Sequence, residues 1–192
     1  MADPQAAKPH ITWGRVARRI RVPMGFVFAI FYIWRAKPTW KALVLGALIA
    51  SLGIFIRTVA SGQVKKDQEL TMTGPYAYVR NPLYLGSIII AIGFAVAARD
   101  VWVAIAILAM FVLVYVPVIR GEETFLRKQF SGYDDYARRV PSLLPRTLLF
   151  RQMMDGFSRE LYWQHREYNA LLGAAAMLAA LVVKILWFHG QR

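Results

Sequence analysis

The stretch Val101-Trp-Val-Ala-Ile-Ala-Ile-Leu-Ala-Met-Phe-Val-Leu-Val-Tyr-Val-Pro-Val-Ile119 decides the fold. It carries no charge. At about 1.5 Å of rise per residue, a helix of that length reaches across most of a hydrocarbon core of about 30 Å. Working outward, Leu43–Ile56, Leu83–Ala98 and Ala170–Val183 are equally free of charge. Buried helices of soluble proteins rarely come four to a chain. Composition agrees: 57% of residues are hydrophobic and 18% charged, against about 45–50% and about 25% in ordinary globular chains. The expected fold class is therefore all-α, a single multi-pass integral membrane domain with about five transmembrane helices.

The formal net charge of +13 would point to nucleic acid in a soluble chain. Here the basic residues fall between apolar blocks, where they face anionic headgroups and set topology, so no nucleic-acid partner is expected. The chain has no cysteine, which excludes disulfides, thiolate nucleophiles and cysteine-ligated metals. No cleavable signal peptide is expected after the polar Met1–Pro9, and Gly190-Gln191-Arg192 offers no prenylation box.

Residues Ile11–Arg21 alternate Trp13, Val16 and Ile20 with Arg15, Arg18, Arg19 and Arg21, the pattern of a basic amphipathic lead-in lying at the interface. Val22–Trp34 is a short first span that needs Arg21, Arg35 and Lys37 to snorkel outward. Pro38 marks the turn into a second span, Lys41–Ala60. Leu83–Ala98 and Val101–Ile119 are joined by Arg99-Asp100, a connection so short that they form an antiparallel hairpin. Pro117 is placed to kink the last turn of the fourth span.

A cytosolic or interfacial segment, 120–168, follows. Within it Glu122–Arg139 can form a helix, and Leu148–Tyr162 reads as an interfacial stretch. Asn169–Phe188 is the fifth span, with Lys184 as a depth anchor near its end. Five spans put the two long polar loops and the N-terminus on one side. The segments on that side carry 18 Lys and Arg against 5 in the segments opposite, so that side is expected to be cytosolic.

Three constellations gather there. The first is Thr73-Gly-Pro-Tyr-Ala-Tyr-Val-Arg-Asn-Pro-Leu-Tyr-Leu-Gly86. Gly74-Pro75 and Asn81-Pro82 set turns, and Pro82 suits a first helical turn, which puts Arg80 and Asn81 at a helix N-terminus able to hold an anion. Tyr76, Tyr78 and Tyr84 offer aromatic faces that can stack on an adenine or hold a cationic sulfonium, although an interfacial aromatic belt with a topological arginine explains the same residues.

The second constellation is Glu122-Glu123, two adjacent carboxylates beside a bilayer surface. They call for a cation such as Arg80, Arg120 or a ligand ammonium, unless they are merely a solvated helix start. The third, Phe130–Pro145, contains Tyr133, Asp134, Asp135, Tyr136, Arg138, Arg139, Pro141 and Pro145; it can fold back as a lid over the other two, and a plain surface helix with a proline-rich exit fits the same residues equally well. No His, Asp or Glu cluster has ligand spacing, so no metal is expected.

In order and spacing, Gly74–Gly86, then Glu122-Glu123, then Tyr133-Asp134-Asp135-Tyr136 and Val140-Pro141 resemble the isoprenylcysteine carboxyl methyltransferase and phospholipid methyltransferase superfamily of integral membrane methyltransferases. The likeness covers roughly Gly74–Pro145. It implies S-adenosylmethionine in a cytosolic pocket at the ends of spans three and four. Tyr76, Tyr78, Val79, Arg80, Asn81, Tyr84, Leu85 and Gly86 would line it, with Tyr133 and Tyr136 alongside. Glu122 and Glu123 would meet the cofactor's amino group or ribose, and Arg80 and Glu123 would carry the catalysis.

Many relatives have His where this chain has Asn81, so a titrating role at that position is not expected here. The implied reaction is in-line methyl transfer to a lipophilic or membrane-associated acceptor with a carboxylate or amine headgroup. His10, His165 and His189 lie outside the matched motifs, which favours an already ionised carboxylate. An aromatic and methionine group, Met153, Met154, Phe157, Tyr162 and Trp163, is a candidate gate for the lipid. The rival readings are an NADPH-dependent membrane reductase of the sterol reductase type and a non-catalytic small membrane protein.

Overall fold

The structure, a computed structural model, describes residues 13–65, 68–146 and 153–189, with side chains from 24 to 187. Eight α-helices make up these residues with a 3-10 turn and a π segment, and no strand occurs among them. They are α1 Trp13–Arg35, α2 Trp40–Ser61, the 3-10 turn Gly74–Ala77, α3 Pro82–Ala98 and α4 Val101–Met110. The π segment Phe111–Tyr115 follows, then α5 Val116–Gln129, α6 Tyr133–Arg139, α7 Arg159–Gln164 and α8 Tyr168–His189. Trp40–Ser61, Val101–Gln129 and Tyr168–Trp187 are each long and apolar enough to cross a bilayer, and Met24–Arg35 and Pro82–Ala98 are shorter apolar helices. The all-α membrane fold expected from the sequence is what the structure shows.

The central contact is between α2 and α3, and glycines make it possible. A Cβ added to Gly46 would lie 2.4 Å from the Gly93 carbonyl oxygen, and one on Gly53 would lie 2.5 Å from that of Gly86. Lipid is as apolar as a leucine side chain, so close backbone approach replaces the hydrophobic drive of soluble packing. At one end of the bundle, Tyr32 OH donates to the Phe94 carbonyl at 2.9 Å and Arg35 pairs with Asp100 at 2.8 Å. Asp100 also accepts from the amides of Trp102 and Val103, capping α4. Lys184 donates to the carbonyls of Ile33 and Trp34 and so caps the C-terminus of α1.

Three sequence-based boundaries change. The lead-in is not separate from the first span: Trp13–Arg35 is one helix, since nothing between Arg15 and Val22 breaks it. Residues 1–12 of that lead-in lie outside the described residues, as do Lys66 and residues 147–152 of the interfacial stretch. The helix that carries the fourth span does not end at Ile119. The helix continues from α4 through the π segment and α5 to Gln129, because Gly121 stands in open space and does not interrupt it.

The helix expected over Glu122–Arg139 is accordingly split at Phe130–Gly132, where Ser131-Gly132 turns the chain into α6. Pro117 takes effect as a π widening. Proline lacks an N–H and crowds the carbonyl four residues back, and just ahead of it the Val116 amide reaches Phe111, five residues back.

Candidate functional site

At the other end of the bundle, the chain before α3 is shaped residue by residue. Gly74 has φ +55°, a left-handed backbone open to glycine, and a Cβ there would strike Gln63. The turn it begins buries Tyr76, whose carbonyl accepts from Tyr136 OH at 2.7 Å. The amides of Arg80 and Asn81 then donate to the carbonyls of Pro141 and Ser142 at 2.9 and 3.1 Å. This pairing straps the segment after α6 onto the start of α3 and brings the third constellation over the first.

Asn81 occupies the N-cap of α3, yet its side chain makes no cap bond. It turns to Glu123 instead, donating to Oε1 at 2.8 Å and to Ser142 Oγ at 3.1 Å. Ser142 Oγ donates to the same Glu123 oxygen at 2.7 Å, and Arg80 Nη2 stands 3.5 Å from it. All three contacts fall on Oε1, which leaves Oε2 available.

Arg80 holds Tyr133 OH at 3.3 Å, with its guanidinium over the Tyr133 ring at 5.8 Å. Arg127 covers that ring too, at 5.6 Å. Arg80 Nε is buried and has no hydrogen-bond partner. Buried polar groups are nearly always paired, so this unpaired donor on a half-buried guanidinium fits an anionic ligand such as a carboxylate.

Glu122 faces a different corner. It accepts from Tyr84 OH at 2.9 Å, and the Tyr84 ring meets Tyr115 edge-on at 6.0 Å. Burial raises the Tyr76 hydroxyl above the ordinary tyrosine range, and Glu122, Tyr136 and Glu167 raise it further while Arg57 opposes them. Burial likewise raises Tyr136 and Tyr133, so these phenols remain protonated donors.

The sequence-predicted residues therefore divide. Tyr76, Arg80, Asn81, Glu123, Tyr133 and Tyr136 converge in one polar cluster, with Tyr84 and Glu122 forming a corner of their own. Val79 is buried, and Tyr78 and Leu85 are half-buried. Gly86 turns toward α2, where a Cβ would lie 2.6 Å from Arg57 Cγ. Of the gate residues, Phe157 packs on Gly62, and Tyr162 and Trp163 meet edge-on at 5.8 Å. The sequence reading missed Ser142, whose signal was its place beside Pro141. It also missed Arg57 and Glu167, the first counted only as a topological charge although it stands inside an apolar helix.

Residues 40–132 match the family described as phospholipid methyltransferase. This region, which holds α2, α3 and the Glu122-Glu123 pair, is what the chain has in common with that family. It is 37% identical over 119 residues to the nickel-cobalt-cadmium resistance protein NccN of Alcaligenes xylosoxydans xylosoxydans, covering 62% of this chain and 55% of that one. It is 33% identical over 141 residues to the cobalt-zinc-cadmium resistance protein CzcN of Cupriavidus metallidurans, covering 68% of this chain and 64% of that one. The chain thus spans less than two thirds of either relative. No solved structure matches it.

Proposed function

We propose that the cluster at the start of α3 binds S-adenosylmethionine and that the protein methylates a lipophilic or membrane-associated acceptor with a carboxylate or amine headgroup. The observation that carries this reading is the unpartnered, buried Arg80 Nε, set beside an open carboxylate oxygen of Glu123, inside the family-matched region. An amino-acid moiety presents one carboxylate and one ammonium, and Arg80 and Glu123 offer the complement of each.

Tyr76, Tyr78, Val79, Asn81, Tyr84, Leu85, Gly86, Glu122, Tyr133 and Tyr136 complete the proposed surround. Several of these act through packing, as Val79 and Gly86 do. When bound, the cofactor supplies a methyl group on a sulfonium, and the protein's part is to align donor and acceptor and exclude water. Asn81 and Ser142 fix the Glu123 carboxylate, while Tyr133 holds Arg80 and Tyr136 packs edge-on against Tyr133. The charge asymmetry supports a cytosolic site and N-terminus.

The relatives' names speak of metal resistance, but among the described residues no group of three or more His, Asp or Glu could hold a metal ion. The reading is tested by incubating membranes that carry the protein, or its Arg80→Ala variant, with methyl-labelled S-adenosylmethionine. Label in a lipid or small amphiphile with the unmodified protein alone is expected. Equal labelling of both membranes, or of neither, refutes it.

A further inference from the structure

Arg57 stands in the penultimate turn of α2, and every N–H of its guanidinium has an acceptor. Nε and Nη2 grip the Glu167 carboxylate at 3.1, 2.9 and 2.7 Å. Nη1 reaches the Leu83 carbonyl at 3.1 Å and Ser87 Oγ at 2.6 Å. One side chain thus joins α2, the first turns of α3 and the residue before α8.

The surroundings are fitted to it. Gly86 leaves the space its stem fills, since a Cβ would sit 2.6 Å from Arg57 Cγ. Glu167 follows Arg166, a non-glycine residue at φ +52°, a backbone state that persists only where the surroundings hold it. The segment leading to Glu167 is tied to the end of α2 at three further points: Gln63 Nε2 to the Met153 carbonyl at 2.7 Å, the Ser158 amide to the Gly62 carbonyl at 2.7 Å, and His165 Nδ1 beside the Ser61 carbonyl at 3.0 Å.

We propose that Arg57 and Glu167 are positioning residues that set the Tyr84–Glu122 corner of the site by locking the first turn of α3 to the start of α8. The inference rests on the cofactor reading above. Leu83, whose carbonyl Arg57 holds, directly precedes Tyr84, whose hydroxyl binds Glu122. Tyr76 lies within the field of both Glu122 and the Arg57–Glu167 pair, so the two corners adjoin. Stability alone does not call for such a pair: Arg57 and Glu167 are half-buried, and apolar residues of similar volume commonly replace even a fully buried ion pair at no cost. What they cannot reproduce is the fixed fork that orients a carbonyl, a hydroxyl and a carboxylate at once.

The test uses the full chain in nanodiscs, with S-adenosylhomocysteine as the probe. The double variant Arg57→Met/Glu167→Leu is expected to unfold within about 3 °C of the unmodified protein yet bind the probe about tenfold more weakly. Arg57→Lys, which keeps the charge and loses the fork, guards against a double variant that fails to fold; its affinity is expected to fall about threefold or more. Undiminished affinity in the folded variants overturns the positioning role alone. An unmodified protein that does not bind the probe overturns the cofactor reading and this inference with it.

Discussion

The Asn81 side-chain amide donates to Glu123 Oε1 at 2.8 Å, joining residues 42 positions apart and tying the start of α3 to α5. Ser142 and Arg80 address the same oxygen, so Glu123 holds two neutral donors and one cation. Glu123→Ala is expected to lower S-adenosylhomocysteine affinity about 100-fold, or about 2.7 kcal/mol, because it strands those groups. Glu123→Gln is expected to lose about tenfold, since the amide keeps one acceptor oxygen and gives up the charge. Calorimetry on both variants, with helicity checked by circular dichroism, measures this; unchanged affinities would remove Glu123 from the site.

The α2–α3 contact tolerates no side chain at its glycines. Gly53→Val is expected to prevent stable folding, at a cost of about 3 kcal/mol or more, since even a Cβ would meet the Gly86 oxygen at 2.5 Å. Gly173→Ala in α8, where nothing lies within 4 Å, is expected to change stability by about 0.5 kcal/mol or less. Thermal unfolding in detergent compares the two, and similar midpoints would contradict the packing described.

Because the chain has no cysteine, single introduced cysteines report topology cleanly. Lys65→Cys and Arg139→Cys are expected to react with an impermeant maleimide from the cytosolic side, and Lys37→Cys from the opposite side. Opposite reactivity at Lys65 and Arg139 would overturn the arrangement of the spans.

Raised phenol pKa values make alkaline pH destabilising. An unfolded tyrosine ionises near pH 10, whereas Tyr76, Tyr133 and Tyr136 hold their protons beyond it in the folded chain. Above about pH 10 the unfolded state therefore binds fewer protons, and stability, full below that pH, falls as pH rises. Tyr136→Phe is expected to cost about 1 kcal/mol at neutral pH through loss of the bond to the Tyr76 carbonyl, and to make the alkaline decline shallower.

At the acid limit, Asp100 opposes this trend in mirror image. Burial works against its charge, but Arg35 and the amides of Val103 and Trp102 outweigh that and lower its pKa, so its contribution is lost as pH falls below the ordinary carboxylate range. Unfolding midpoints recorded against pH for Tyr136→Phe and Asp100→Asn check both directions.

Much of this was legible before any coordinates. Charge-free blocks located the apolar helices because a bilayer leaves the backbone few alternatives, and the string Gly74–Gly86 showed that Arg80 and Asn81 would stand at a helix start. Local patterns also marked Glu122 and Glu123. What could not be read was long-range: that Asn81 would forgo its cap for Glu123, or that Ser142 would join them.

Gly86 illustrates the limit. Its place in the family string implied contact with the cofactor, and nothing in that string showed that its missing side chain also makes room for Arg57. Arg57 was overlooked because a charge near a helix end usually snorkels, and only the fold shows Glu167 arriving opposite it. The helix continuing past Ile119 was hidden by Arg120, Glu122 and Glu123, charges that end an apolar run without ending the helix that carries it.

The central claim is a cofactor pocket at the start of α3, and calorimetric titration of the purified protein with S-adenosylhomocysteine and, separately, NADPH tests it most directly. Saturable binding of S-adenosylhomocysteine that is lost in Arg80→Ala, with no heat from NADPH, is the predicted result. Binding of NADPH with none of S-adenosylhomocysteine would contradict the account and favour a reductase.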